Sequence, residues 1–189
     1  MIHRELRVVG SLVLLLVVGC AIHQNDDEYV LASSESGLEV ASANQPLSVR
    51  WDNFFSQRRL KEDFLRQTLE KNARKWLGTP YEYGGESTLA MDCSAFTRRV
   101  FANVCGFFLP RRAAWQFWEG QWRARDSIRT GDLIFFRING AEVDHVGIYL
   151  GHQQFISATS SGGVRLDNLN SSYWKNHYAG ARNLLVLLQ

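Results

Sequence analysis

The order of sequence patterns along the chain predicts an α+β fold, with N-terminal helices packed on an antiparallel sheet. Between residues 65 and 106, apolar side chains recur at the three- and four-residue spacing of helices. From Gly131 onward, short runs of β-branched and aromatic residues alternate with turn residues such as Asn139-Gly140. Helices first and closely spaced strands afterwards are typical of α+β domains.

Each element is predicted from its own local pattern. The first helix covers residues 65–77 and ends at Gly78, and the second opens at Met91 and ends at Gly106. A short aromatic helix follows at 113–119. The rest of the chain predicts four strands, a late helix and a closing strand, at 133–136, 146–150, 155–158, 163–166, 173–181 and 184–188.

The first 20 residues carry the pattern of an export signal. Arg4 and Arg7 form a basic flank, and the apolar run from Val8 to Gly19 is too short to span a bilayer comfortably. The small and β-branched residues before Cys20 resemble the lipobox of bacterial lipoproteins. We therefore expect cleavage before Cys20 and acyl chains on that residue, and a plain secretory signal is the alternative.

Three segments follow from this interpretation. They are a signal peptide at 1–19, a lipidated cysteine with a flexible acidic tether at 20–49, and a folded domain at 50–189. The tether contains five acidic residues, no lysine or arginine, and no clear periodicity. We expect the protein in the bacterial envelope, anchored in a membrane and facing the periplasm. Ala21 in place of aspartate after the cysteine favours the outer membrane.

Composition and cysteine spacing exclude several classes of protein. A formal net charge of +2 over 189 residues does not favour a nucleic-acid-binding protein, and three cysteines cannot form a disulfide scaffold. Cys93 and Cys105 lie twelve residues apart in one helical stretch, about 18 Å along a helix. A disulfide between them is therefore not expected, and we assign Cys105 to the core. Because histidine, cysteine and carboxylate residues do not cluster, we expect no metal site and no cofactor.

Cys93 is the candidate nucleophile because of its predicted place at the start of a helix. Asp92 is a good N-cap, which puts Cys93 in the first turn, where free N–H groups and the helix dipole stabilise a thiolate or an oxyanion. His145 opens a predicted strand and is the candidate base. We expect these surroundings to lower the pKa of Cys93. From spacing alone, a buried cysteine and an unrelated surface histidine remain an alternative.

Five short motifs, in order, make the chain resemble the NlpC family of cell-wall cysteine peptidases over about residues 65–182. They are Gly78-Thr79-Pro80-Tyr81-x-Tyr83-Gly84-Gly85, Asp92-Cys93-Ser94-x-Phe96, Leu109-Pro110-Arg111, Gly131-Asp132-Leu133-Ile134-Phe135-Phe136 and His145-Val146-Gly147-Ile148-Tyr149. The later segment Tyr173-Trp174-Lys175 is also similar to lipoprotein members. The resemblance implies a papain-like fold and hydrolysis of amide bonds in peptidoglycan stem peptides. We expect the enzyme to be a monomer.

The resemblance also implies roles for individual residues. Cys93 is the nucleophile, and His145 is the general base and then the general acid. Tyr81 matches a tyrosine that lines the family's active site, where its hydroxyl would help to hold the oxyanion. Asp92 and Ser94 match positions that in relatives contact the free amine of the stem peptide.

Ser157 departs from the family pattern. Relatives usually have a histidine here, in a pattern like Phe-Ile-His-Ala, whereas residues 155–158 read Phe-Ile-Ser-Ala. The third residue orients the imidazole, and serine is a shorter, uncharged support. His152 is expected at a turn and not as a substitute. A second hypothesis is therefore a non-catalytic peptidoglycan-binding lipoprotein with a degenerate triad. A third, a lipid acyltransferase, is disfavoured by the Asp92-Cys93-Ser94 motif and the export signal.

A tryptophan cluster has two interpretations. Trp115, Trp118 and Trp122 recur at i, i+3 and i+7, which is one helix face if the helix continues past Gly120. Packing in the core or a groove is the simpler interpretation. A stacking platform for glycan or stem peptide is the alternative.

Overall fold

The computed structural model of the protein describes residues 47–106 and 108–188. The predicted signal peptide, Cys20 and the predicted tether up to residue 46 lie outside the described residues. Within the described residues, no helix is both long enough and apolar enough to cross a membrane.

In the described residues, three α-helices precede the strands, as the sequence predicted, and a fourth lies between the last two strands. They are α1 (Leu47–Arg74), α2 (Cys93–Cys105), α3 (Ala113–Gln116) and α4 (Ser172–His177). Helix α1 begins well before residue 65 and inside the last residues assigned to the tether. Its first half shows no apolar periodicity because residues 52–61 are exposed, whereas Leu69 and Ala73 in its second half are buried in the core.

The sheet is antiparallel and has six strands within the described residues. They are β1 (Gln121–Arg123), β2 (Leu133–Phe136), β3 (His145–Gly151), β4 (Gln154–Thr159), β5 (Gly163–Asn168) and β6 (Tyr178–Asn183), in the spatial order β1-β6-β2-β3-β4-β5. Strands β2 to β5 confirm the four strands predicted from the runs of β-branched and aromatic residues between turn residues. The α+β class is therefore confirmed.

The C-terminal prediction was wrong in its element types. The late helix ends at His177, and residues predicted to continue it form β6 between β1 and β2. The predicted closing strand is instead a 3₁₀ helix, Leu185–Leu188. Strand β6 forms its hydrogen bonds with β1 and β2, which lie far away in the sequence. The residues of β6 alone therefore do not predict a strand.

The condition for placing the three tryptophans on one helix face, a helix that continues past Gly120, is not met. Helix α3 ends at Gln116, and Gly120 has a φ of 68°. Any side chain at Gly120 would collide with the carbonyl oxygen of Asn183, so only glycine fits this reversal. Trp122 consequently lies on strand β1, not on the helix of Trp115.

Apolar residues cover both faces of the sheet. Leu133 and Phe135 of β2 belong to the core that includes Phe96 of α2, whereas Ile134 and Phe136 face a second cluster with Trp174 of α4. This alternation follows the two-residue period of a strand and explains why β2 is buried along its whole length. Helix α2 is thereby packed on β3 and β4, which brings its first turn to the start of β3.

Two buried polar side chains fix the helices in place, one linking α1 to the segment before β2 and the other linking α3 to α2. Arg66 of α1 donates to the carboxylate of Asp132 at 2.9 Å and to the carbonyl of Thr130 at 2.6 Å. Gln116 of α3 donates to the carbonyls of Ser94 and Pro110 at 3.0 and 2.8 Å. Because buried polar groups are costly when unpaired, these bonds favour one arrangement of the helices around the start of α2.

Candidate active site

The local structure around Cys93 is the one that the sequence predicted. Asp92 is the N-cap of α2, with extended backbone angles, and its Oδ1 accepts the Ala95 N–H at 2.8 Å. Cys93 is the first residue of the helix and is buried. Its thiol donates to the carbonyl of Asp144 at 3.9 Å, which places Sγ beside the residue that precedes His145.

His145 and Ser157 are in direct contact. His145 opens β3, Ser157 lies on the neighbouring β4, and the distance between Nε2 and Oγ is 3.0 Å. Both residues are buried. The short serine side chain therefore reaches the imidazole. His152 lies at the turn, as expected, with a φ of 50°.

Gly147 lets strand β4 come close to the histidine strand. A Cβ at this position would lie 2.7 Å from the Phe155 ring and 3.1 Å from the Cβ of Ser157. The glycine in the His145-Val146-Gly147 motif therefore has a packing reason: a larger residue would push away the strand that carries Ser157.

Aromatic rings fix the orientation of the imidazole. Trp174 of α4 stacks on His145 with ring centroids 5.2 Å apart and an interplanar angle of 23°, and Phe136 lies 5.8 Å away. Trp174 was not among the predicted site residues. Its signal in the sequence was the family-like Tyr173-Trp174-Lys175, which no local pattern connects to His145.

Burial keeps Cys93 and His145 uncharged near neutral pH. It raises the pKa of the Cys93 thiol to about 12, even though backbone N–H groups, that of Val146 foremost, favour the thiolate. It also lowers the pKa of His145 to about 4, against the opposing charge of Asp144. The expected lowering of the Cys93 pKa was wrong because the loss of hydration exceeds the effect of the helix N-terminus. Burial raises the pKa of Cys105 to about 12 as well.

Backbone donors surround the thiol. The N–H groups of Ala95 and Phe96 are bonded to the side chain and carbonyl of Asp92. Those of Cys93 and Ser94 act on the thiol instead, where they favour negative charge. They are therefore the helix donors placed to stabilise an oxyanion at this position.

Tyr81 lies beside the thiol, as predicted. It is half-buried and forms an isolated bridge with Met91, just before the N-cap. Burial, with the neighbouring Cys93 and Asp92, raises the pKa of its hydroxyl. The phenol is therefore a neutral donor near neutral pH.

Asp92 and Ser94 are tied to Arg111, which the predicted site did not include. Arg111 donates to both carboxylate oxygens of Asp92, at 3.0 and 2.7 Å, and to the Ser94 hydroxyl at 2.9 Å. Its Nε pairs with Glu86. Burial by itself would raise the pKa of Asp92. The hydrogen bonds from Arg111, Ala95 and Ser94 outweigh that effect and hold the pKa of Asp92 below its ordinary value.

Two cavities meet at Cys93. One of about 650 Å³ is lined by His145, Trp174 and polar residues of the β4–β5 hairpin. The other, of about 400 Å³, is lined by Asp92, Ser94 and Arg111. Tyr81, Cys93 and Asp144 line both. An extended chain can therefore cross the thiol with one part in each cavity. In the part of the chain that the structure describes, no cluster of three histidine, cysteine or acidic residues is arranged to hold a metal ion.

Comparison with known proteins finds sequence relatives over this domain. The chain is 42% identical over 110 residues to the murein DD-endopeptidase MepS/murein LD-carboxypeptidase of Escherichia coli strain K12. It is 38% identical over 111 residues to a probable endopeptidase NlpC homolog of Haemophilus influenzae. These segments cover 58% and 59% of this chain, and in both cases 58% of the relative's length.

Solved structures share the fold. An NlpC/P60 family protein from Bacillus cereus superposes with a TM-score of 0.60 at 31% identity, over 64% of this chain and 40% of that protein. The NlpC/p60 domain of the peptidoglycan hydrolase SagA gives 0.56 at 28% identity, over 62% and 97%. The papain-like fold that the resemblance implied is therefore confirmed. The NlpC/P60 family profile matches residues 78–183, more than half of the chain, and the protein belongs to that family.

Proposed function

We propose that the protein is a lipid-anchored cysteine peptidase that hydrolyses amide bonds in peptidoglycan stem peptides. The observation that carries the proposal is the 3.0 Å contact between His145 and Ser157 beside a cavity that His145 and Cys93 both line. Relatives named as murein endopeptidase and carboxypeptidase support the class of substrate. The lipobox-like segment before Cys20 supports the anchor.

The first chemical step is an attack by an initially neutral thiol. When Nε2–H of His145 donates to Ser157, the lone pair lies on Nδ1, which is then the base. Nδ1 takes the proton from Cys93 as Sγ attacks the carbonyl carbon of the scissile amide. The negative charge that develops on the carbonyl oxygen is met by the N–H groups of Cys93 and Ser94 and by the Tyr81 hydroxyl.

Two proton transfers complete the reaction. The imidazolium of His145 gives its proton to the leaving amine, and a thioester remains on Cys93. The neutral imidazole then takes a proton from water as the hydroxide equivalent attacks the thioester, and returns that proton to the departing sulfur. Both charged intermediates are short-lived, which agrees with a buried pair that is neutral at rest.

The Ser157 departure and the raised pKa of Cys93 favour one second candidate, a non-catalytic peptidoglycan-binding lipoprotein. Digestion of purified sacculi with the full-length protein in detergent separates the two. We expect wild-type protein to release soluble muropeptides that mass spectrometry identifies, and Cys93→Ala to release none. Binding of sacculi without any release by the wild type would support the second candidate instead.

A further inference from the structure

Three tryptophans near the second cavity are exposed to solvent. The exposed fractions are 54% for Trp115, 75% for Trp118 and 52% for Trp122. Of the two forms of the simpler interpretation, packing in the core is therefore excluded, and packing along a groove is not. A surface patch with several exposed tryptophans is more often a binding site than a surface that stays in contact with solvent only.

Arginine residues hold these rings in place. The guanidinium of Arg182 lies 5.1 Å from the Trp122 ring centroid and 5.9 Å from that of Trp118, and its Nε donates to the Phe117 carbonyl at 2.6 Å. Arg112 lies 5.4 Å over Trp115. A ring has two faces, so an arginine on one face orders the ring and leaves the other for a ligand.

The tryptophans continue the Cys93 cleft. A cavity of about 400 Å³, within the size range of small-ligand sites, is lined by Trp115 and Trp118. It shares four lining residues with the cavity that contains Asp92 and Ser94: Arg112, Ala114, Glu142 and Val143. The two cavities are therefore adjacent. A ligand bound at Trp115 and Trp118 can extend through the second cavity toward the thiol of Cys93.

The charge pattern of this side does not favour a free amine. Asp92 already accepts bonds from Ala95, Ser94 and both terminal nitrogens of Arg111. Its charge is paired with Arg111, so a substrate ammonium would have to compete with a guanidinium for this carboxylate. A stem peptide whose amino end is joined to a sugar through an amide bond has no ammonium group, so it does not compete with Arg111 for Asp92.

We propose that Trp115 and Trp118, flanked by Arg112 and Glu142, form a subsite for a saccharide ring of the glycan strand that carries the stem peptide. This inference rests on the proposed peptidase function. The C–H face of a sugar ring packs on the negative face of an indole, and the arginine and glutamate at the rim match its hydroxyl and acetamido groups. The glycan would then position the attached peptide across Cys93.

The test compares two substrates with the same peptide. One is a stem peptide carrying its disaccharide, and the other is the free peptide. Full-length wild-type protein in detergent should show a higher kcat/KM for the glycan-linked substrate, by about tenfold. The double variant Trp115→Ala/Trp118→Ala should lose that difference and cleave the free peptide at the wild-type rate. Phe108→Ala, which removes a ring of similar exposure outside these cavities, should change neither rate.

The outcomes separate this inference from the function on which it rests. Hydrolysis of neither substrate by the wild type would overturn the peptidase function itself. Equal wild-type rates on both substrates would overturn the subsite alone, even if the double variant fails to fold. A third arm places the lipidated protein in vesicles of phosphatidylethanolamine and phosphatidylglycerol. If the double variant loses activity only there, and equally on both substrates, the patch contacts lipid and the saccharide subsite is wrong.

Discussion

The two sides of Cys93 are organised by different forces. On the first side, His145 stacks on Trp174, makes one hydrogen bond to a serine, and is neutral because it is buried. On the second side, Asp92 and Arg111 form a bidentate ion pair that continues to Glu86. On the first side, packing orients the imidazole and the loss of hydration keeps it neutral. On the second side, ion pairs position the side chains.

Under the proposed function, this difference gives the two sides different tasks. Near the imidazole, low polarity keeps the base unprotonated, so that it can accept the thiol proton at the moment of attack. Near the helix N-terminus, a neutralised carboxylate caps α2 and leaves the neighbouring N–H groups for the oxyanion. Changes on the first side should act on the catalytic rate, and changes on the second on stability and substrate choice.

The largest expected effect comes from removing the thiol at the junction of the two sides. Cys93→Ala should lower the rate of stem-peptide hydrolysis by at least about 10³-fold, because no nucleophile remains. Cys105→Ala, which removes a half-buried thiol elsewhere on α2, should retain wild-type activity. The measurement is release of muropeptides by chromatography. Equal loss in both variants would mean that neither thiol attacks substrate.

Breaking the charged side should destabilise the fold in a pH-dependent way. Arg111→Ala should lower the free energy of unfolding by about 1–3 kcal/mol at pH 7, since Asp92 loses its partner in a partly solvated pair. The native pKa of Asp92 lies below its ordinary value. Its contribution is therefore complete above that ordinary value and is lost as pH falls through the lower native pKa.

The measurement for Arg111 is urea unfolding at pH 7 and pH 3, with Arg112→Ala as the neighbouring control. The difference between wild type and Arg111→Ala should shrink at pH 3. An equal difference at both pH values, or the same loss in Arg112→Ala, would show that the carboxylate charge is not what Arg111 stabilises.

Breaking the packed side at Ser157 should lower the turnover rate. Ser157→Ala removes the acceptor of the 3.0 Å bond to His145, and we expect kcat to fall about tenfold, or ~1.4 kcal/mol, with little change in KM. Ser157→Thr keeps the oxygen and should retain most of the activity. An unchanged kcat in Ser157→Ala would mean that stacking on Trp174 alone orients the base.

The smallest effect concerns the pH profile. Because the pKa of His145 is lowered to about 4, kcat/KM should stay nearly level from pH 8 to 5 and fall only near pH 4. An ordinary imidazole would lose half of its base form near pH 6.5. Buried neutral histidine also makes folding less stable as pH falls from 6.5 toward 4, so circular dichroism at each pH is the control. A midpoint near 6.5 in folded protein would contradict the desolvated base.

Short-range features of the active site were predictable, and long-range ones were not. The cap at Asp92 and the helix start at Cys93 depend on neighbours within four residues, and both were confirmed. The position of Trp174 depends on α4 packing against the second face of the sheet, which no local pattern records. Strand β6 was missed for the same reason, because its partners lie some 50 residues earlier in the chain.

The sequence by itself indicated the family, the first three helices, strands β2 to β5 in their order, and the place of Cys93 at a capped helix start. The family follows from a resemblance of five short motifs, and the elements follow from spacing, turn residues and capping chemistry, which act over a few residues. Only the tertiary structure decided that Ser157 reaches His145, that Arg111 pairs with both carboxylate oxygens of Asp92, and that Cys93 and His145 are neutral. Distance, partner and burial are properties of chain segments brought together from afar, and the pKa of a group depends on the water that this packing removes.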